Sequence, residues 1–253
     1  EDDVAGSALG DLNRDGTPDL VLGHHYGSTV DVGVSVPIRI YLTEVGPDAE
    51  VAFADVTEEA GLPGLHTKAP HVQIADIDND GWPDIVASAS AHGGTTPIVF
   101  RHLGLTDTGV PRFSTPADID SVQYWVTAPV TDIDRDGRLD IVAVEWEPSL
   151  PSLAFLNGGT VGHWISISIG PELGGGIGTR VQVFESGESE HPIGTIDLSP
   201  TTGYSAGIEL IAHFGLGSRT EADIVVTPPL PHQPFVLQGV PSDRHLRLPA
   251  GCP

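Results

Sequence analysis

Short apolar runs alternate along the whole chain with polar segments rich in glycine and proline, and no run carries the period of a long amphipathic helix. The runs come in groups. A first run leads into an Asp-rich segment (VAGSALG, HVQIAD, VTAPVTD), and a β-branched run leaves it (DLVLG, DIVASAS, DIVAVEW). A third follows (IRIYLTE, PIVFRH, SLAFLN). The first two groups add a fourth, VAFADVT around Phe53 and PRFST around Phe113. Four antiparallel strands in units of about sixty residues form a propeller-blade pattern. The third unit shows no obvious fourth strand.

The pattern changes near Gly158. HWISISI alternates as a half-buried strand does, LGGGIGTRVQVFE turns and re-enters a strand, and SAGIELIAHFGLGS, ADIVVTPP, PFVLQGV and RHLRLP continue the series. The predicted fold is all-β: three propeller-type four-stranded blades over residues 1–158, then a sandwich-like or barrel-like domain over 159–253. Three blades do not close a ring of the usual ~4–8. The expectation is therefore a fragment of a longer propeller, or blade edges covered by the C-terminal part or by a partner chain. An uncovered row of strand edges would invite aggregation or self-assembly.

Between the first two strands of each unit stands one phrase: DLNRDGTPDLVLG from Asp11, DIDNDGWPDIVAS from Asp76 and DIDRDGRLDIVAV from Asp132. Its form is Asp-x-Asp/Asn-x-Asp-Gly-x-x-Asp. Calcium takes about six to eight oxygens at about 2.3–2.6 Å, and side chains at positions 1, 3 and 5 of a tightly wound loop converge on one point. Glycine at position 6 permits the bend. Position 7 offers only its carbonyl, which leaves its side chain free to vary as Thr17, Trp82 and Arg138. Position 9 closes the set. The candidate ligands are Asp11, Asn13, Asp15, Thr17 and Asp19; Asp76, Asp78, Asp80, Trp82 and Asp84; Asp132, Asp134, Asp136, Arg138 and Asp140, for three Ca²⁺ ions. Position 12, the Glu of an EF-hand, is Leu22, Ala87 and Ala143 inside strand-like runs, so these are hairpin loops and not EF-hands. Asp-Gly turns also join hairpins without any ion. Three matches with four spaced oxygen donors each, and the repulsion among crowded carboxylates, favour the cation.

Charge reinforces this reading. The chain has 35 acidic and 11 basic residues, a formal net charge of −24, and Lys68 is its one lysine. Nucleic acid and anionic membrane surfaces are poor partners for such a chain. The loops hold only part of the excess acid, so three calcium ions explain the clusters and not the whole charge. No apolar run has the length of a membrane span. The opening residues EDDVAGSALG resemble no signal peptide, and the chain has no Met, from which a processed or trimmed N-terminus is expected. Cys252 is the one cysteine, so no internal disulfide forms.

These units resemble the FG-GAP (VCBS-type) repeats of integrin α-chain propellers. VAFADVTEEAGLP, Val51 to Pro63, resembles a phrase of the cartilage acidic protein family and its bacterial relatives. The last third resembles the ASPIC/UnbV domain in GHWISISI, GGGIGTRVQVF, GYSAGIEL, HFGLG and ADIVVTPP, with Thr227 where that family usually has Trp. The resemblance implies a secreted or cell-surface protein and offers no catalytic residues to carry over.

Other candidates are weaker. Gly174 to Gly178 lacks the Lys-Ser/Thr of a phosphate loop and reads as a tight turn. His24, His25 and His92 fall in equivalent loops and could form a second metal site, or could be ordinary loop histidines; His66 and His71 flank the second unit's first strand. Trp82, Trp125 and Trp146 could stack sugars, though packing between blades is the favoured role. No Asn-x-Ser/Thr sequon and no hydrolase or metalloprotease motif occurs. The sequence therefore favours a secreted, calcium-binding protein for adhesion, matrix or assembly interactions, without catalysis, whose partner is a protein or a carbohydrate. The alternative is a lyase- or hydrolase-type enzyme of carbohydrate or natural-product metabolism, with structural calcium and a site on the propeller rim.

Overall fold

The structure, a computed structural model, describes residues 4–24, 36–65, 68–90, 97–114, 123–159 and 162–249. The first unit is a four-stranded antiparallel meander of β1 (Val4–Gly10), β2 (Asp19–His24), β3 (Arg39–Val45) and β4 (Val51–Asp55). The second has β5 (Val72–Ala75), β6 (Asp84–Ser90) and β7 (Pro97–Phe100). Its outer half is a separate hairpin of β8 (His102–Leu105) and β9 (Pro111–Phe113), because the third run breaks at Arg101. A short β10 (Gln123–Tyr124) pairs with the far end of β6, which the sequence pattern did not anticipate. The third unit is three-stranded: β11 (Val130–Thr131), β12 (Asp140–Ala143) and β13 (Leu153–Phe155).

Blades meet face to face. Ala8, Val21 and Ile40 of the first pack with Val72, Ile85, Ile98 and Phe100 of the second. Ile77, Val86 and Val99 of the second pack with Val130, Ile141 and Phe155 of the third. Gln73, buried on β5, bonds the Val130 amide and carbonyl at 3.0 and 3.4 Å and so joins the inner strands of two blades that do not pair directly.

The last third has β14 (His163–Ile169), β15 (Arg180–Phe184), β16 (Pro192–Asp197), β17 (Thr201–Thr202), β18 (Ala206–Gly207), β19 (Ile211–Gly217), β20 (Glu221–Thr227), β21 (Phe235–Pro241) and β22 (Arg244–Leu248). Sheets β19-β14-β22 and β16-β15-β20-β21 enclose a separate core of Ile165, Ile167, Val181, Val183, Leu216 and Ile224, as a sandwich does. β14 and β22 run parallel, a pairing not legible from period alone. The segment 174–178 is a turn, with Gly174, Gly175, Gly176 and Gly178 all at positive φ. Ser166, a polar position of the alternating β14, is buried and not solvent-facing. Its side of the sheet lies against the blades and borders a cavity shared with their loops.

Candidate metal centre

All three Asp-rich loops fold on one backbone scaffold. The position-1 carboxylate accepts the N–H groups of positions 5 and 6: Asp11 from Asp15 and Gly16 (3.0 Å each), Asp76 from Asp80 and Gly81 (3.1 and 2.8 Å), Asp132 from Asp136 and Gly137 (3.1 and 2.9 Å). Position 5 accepts the N–H of position 7, in Asp15–Thr17, Asp80–Trp82 and Asp136–Arg138. Position 9 uses both oxygens. One takes the N–H of position 2 (Leu12, Ile77, Ile133); the other takes an N–H on or beside the third strand (Thr43, His102, Asn157), all at 2.8–3.1 Å. Asp19, Asp84 and Asp140 therefore fasten each loop to its own sheet.

The backbone allows this by turning left-handed twice per loop. Gly16, Gly81 and Gly137 have φ of 85°, 93° and 86°, and position 4 is also left-handed in Arg14, Asn79 and Arg135. Sequence reading found the glycine and missed position 4, whose residue type varies.

Asp76, Asp78 and Asp84 bring one oxygen each within 4.8 Å of one another, and so do Asp132, Asp134 and Asp136. In the first loop, where Asn13 stands at position 3, the three carboxylates do not gather so closely. Burial drives the retained carboxyls upward: Asp11 and Asp84 to about 6, Asp19 to about 7, and Asp76 well above the usual carboxylate range. The donor set fits a hard divalent cation on one further observation. Asp78 Oδ1 is buried and has no hydrogen-bond partner, while Asp76 and Asp84 crowd beside it. Arginine side chains stand at the same carboxylates. Arg101 Nη1 contacts Asp78 Oδ2 at 3.1 Å and Asp84 Oδ2 at 2.9 Å, and Arg138 pairs with Asp136.

The loops also join one another. Arg14 donates to the Gly81 carbonyl and lies 3.4 Å over the Trp82 ring, which stacks on His102 at 4.7 Å. Asn79 Nδ2 donates to the Gly137 carbonyl at 2.9 Å, and its Oδ1 lies 2.8 Å from His213 Nε2 on the sandwich. Arg135 completes the series by pairing with Glu209 at 2.7 Å.

The sandwich covers this rim. Gly217 and Gly162 donate to the Asn79 and Asp78 carbonyls at 2.8 Å, and Trp164 fills the space where a Cβ of Gly137 would lie. Between the two units lies a cavity of about 790 Å³ that receives Asp11, Asp76 and Asp132 from the loops and Ser166, His213 and His245 from the sandwich. His245 bonds Ser166 through Nδ1, and its Nε2 is 3.8 Å from Asp132 Oδ2. Both Asp132 oxygens already accept loop amides, and His213 is half-buried, tied to Asn79 and held neutral by desolvation with its pKa at about 3. None of these sandwich residues stands in a legible motif; only the three-dimensional approach of the two units reveals them.

The remaining candidates separate. His24 is buried and carries a backbone bridge to Ala69; His25, His66 and His92 lie outside the described residues, and among the described residues no metal-type cluster contains a histidine. Trp125 is buried at the second seam against Phe155, and Trp82 serves the first, as packing predicts. Trp146 departs from that expectation at 67 % exposure, because it lies in the β12–β13 connection where no blade follows.

The family model described as FG-GAP-like repeat matches residues 11–87 and 76–143, and that of ASPIC and UnbV matches residues 174–249. Cartilage acidic protein 1 of Xenopus tropicalis, of Mus musculus and of Homo sapiens are each 28 % identical over 232 residues, which is 88 % of this chain and 33, 33 and 32 % of theirs. The chain spans about a third of the length of the curated relatives it matches.

Proposed function

The chain belongs to the FG-GAP-like repeat family, with an ASPIC and UnbV domain after its repeats, and we propose that its three Asp-rich loops bind calcium in an extracellular adhesion or matrix protein. The supporting observation is the shared loop scaffold, with Asp78 Oδ1 buried and unpartnered beside Asp76 and Asp84. Positions 1, 3, 5 and 9 of each loop would hold the ion, and position 7 (Thr17, Trp82, Arg138) would add a carbonyl. Bound there, a divalent cation supplies the positive charge that these desolvated carboxylates lack.

The chain's own residues set what ion binding does. Each position-9 Asp already ties loop to sheet, so ligation at positions 1, 3 and 5 stiffens a hairpin that is preformed. Arg101 and Arg138 must swing off the carboxylates they now neutralise. The acidic surface suits a basic or calcium-bridged partner, and exposed Trp146 with Leu150 offers an apolar contact beside Glu145 and Glu147. The division between the two units is taken at residues 158/159.

The test is native mass measurement with calorimetric titration of chelator-stripped protein. Three calcium ions per chain are expected, with a rise in melting temperature that equal magnesium does not reproduce, since the loops offer more oxygens and longer bonds than magnesium takes. Absence of any calcium uptake at millimolar concentration overturns the proposal. A second reading, a small-molecule site that could support enzymatic chemistry, draws on the cavity that joins His213 and His245 to the loop carboxylates. Protection of Trp164 fluorescence by a bound sugar or metabolite, in a screen with calcium present, would favour it.

A further inference from the structure

We infer that the sandwich and the ion of the second loop share one coupled equilibrium: calcium in that loop holds the sandwich on the blades, and the seated sandwich tightens the calcium site. The inference rests on the calcium reading of the loops. The sandwich reaches the second loop with its backbone. Gly162 N–H donates to the Asp78 carbonyl and Gly217 N–H to the Asn79 carbonyl, both at 2.8 Å, so positions 3 and 4 are pinned from outside. His213 Nε2 donates to Asn79 Oδ1 at 2.8 Å. Three glycines make this approach possible. A Cβ on Gly162 would overlap the Asn79 carbonyl oxygen, one on Gly215 would overlap Asp76 Oδ2 and the Asn79 backbone, and one on Gly217 would lie 3.0 Å from the Asp80 carbonyl oxygen. The sandwich backbone therefore bears on positions 1, 3, 4 and 5 of a single loop, and three of these are candidate ligands.

These contacts act on the conformation that the ion needs. Asn79 directly follows the position-3 ligand, and its φ of 54° is a conformation that an L-residue holds at a cost. The bonds from Gly217 and His213 offset that cost. Ligation of Asp76, Asp78 and Asp80 by one ion requires the same wound backbone. Two events that favour one conformation favour each other, by the same factor in both directions. The first loop is the internal contrast. Its position 4, Arg14, is left-handed as well (φ 60°), yet among the described residues the sandwich donates no backbone N–H to this loop, and a Cβ on Gly16 would meet only Gln182 Nε2, at 3.8 Å. The first ion should therefore bind without regard to the sandwich. Falling calcium would loosen the sandwich, which has a core of its own, and uncover the rim of loops beneath it.

The experiment is amide hydrogen exchange of the full chain, read by NMR in millimolar calcium and after chelation, with calorimetric calcium titration of variants. The Gly162 and Gly217 amides should exchange about tenfold or more faster without calcium, while amides of β15 and β20 inside the sandwich keep their rates. Asp78→Ala, which leaves the carbonyl at position 78 in place, should bring the same acceleration with calcium present. In the titration Gly162→Ala should weaken the binding of one ion about tenfold or more and leave the first-loop ion unchanged. Gly158→Ala, at an exposed site where a Cβ meets nothing within 4 Å, should weaken none. Should Gly162→Ala fail to fold, the exchange of the parent and of Asp78→Ala still decides. Calcium uptake with no change in exchange at Gly162 and Gly217 overturns the coupling and leaves the calcium reading intact, and an equal loss at all ions in Gly162→Ala does the same. Absence of any uptake overturns both.

Discussion

Asn79 of the second loop donates its side-chain amide to the Gly137 carbonyl of the third, 58 residues on, and is completely buried in doing so. Arg14 stands in the same relation to Gly81 one blade earlier. The rim is thus a chain of loops in which position 4 of one reaches position 6 of the next, and the last link, Arg135 to Glu209, passes to the sandwich.

Replacing Asn79 separates two effects. Asn79→Gly keeps the left-handed backbone and removes the hydrogen bonds to Gly137 and His213; Asn79→Ala also adds backbone strain. The first should destabilise by about 1–3 kcal/mol for buried partners left unsatisfied, and the second by about 1 kcal/mol more. Urea unfolding in calcium measures both. Equal midpoints for the two variants would show that the backbone term is absent.

Asp78 and Asp84 should behave differently although both are candidate ligands. Asp84 accepts from Ile77 and His102 and is buried, so Asp84→Ala should lower stability with or without calcium by about 2 kcal/mol or more. Asp78 accepts no loop amide: its Oδ1 is buried without a partner and its Oδ2 meets Arg101. Asp78→Ala should leave the chelated protein within about 0.5 kcal/mol of the parent and reduce the bound ions from three to two. A loss of chelated stability as large as that of Asp84→Ala would contradict this division.

Calcium and protons should compete. Without an ion, Asp11, Asp19 and Asp84 hold their protons up to about 6, 7 and 6, against about 3.8 for an exposed carboxyl. The folded state then binds protons that the unfolded state has released, and this contribution to stability, present below pH ~4, is lost as pH rises toward 7. His71 and His102, buried and neutral with pKa values pushed to about 4, act in the opposite sense. The difference in melting temperature with and without calcium isolates the loops. It should be small near pH 5 and grow toward pH 7.5. A difference that is constant across this range would mean that ion binding releases no protons from these groups.

Much of this was legible because calcium-loop chemistry and strand period are local. Asp11, Asp76 and Asp132 sit at fixed offsets from Gly16, Gly81 and Gly137, and the apolar runs around them predict β1–β3, β5–β7 and β11–β13. What was not legible is non-local. The break at Arg101 that detaches β8–β9, the parallel β14–β22 pairing and the burial of Ser166 all depend on which surfaces meet. Trp146 shares the packing expectation with Trp82 and Trp125 as a large aromatic, but it stands in the β12–β13 connection and is exposed. The approach of His213 and His245 to the loops leaves no mark in either local sequence.

The seating of the sandwich on the third loop can be tested with glycine alone. Gly16 and Gly137 occupy the same loop position with the same φ, 85° and 86°. A Cβ on Gly16 would meet only Gln182, at 3.8 Å, whereas one on Gly137 would overlap the Trp164 ring. Gly16→Ala should therefore cost only the backbone term, about 1–2 kcal/mol. Gly137→Ala should cost that and the displacement of Trp164, in total about 3 kcal/mol or more. In a Trp164→Ala background the overlap is gone, and Gly137→Ala should fall back to the cost seen at Gly16. A double-mutant cycle with coupling well above 0.5 kcal/mol (roughly the additivity limit for independent sites) would establish that the β14 face bears on this loop. Additive effects would mean that the ring and the loop do not touch in solution.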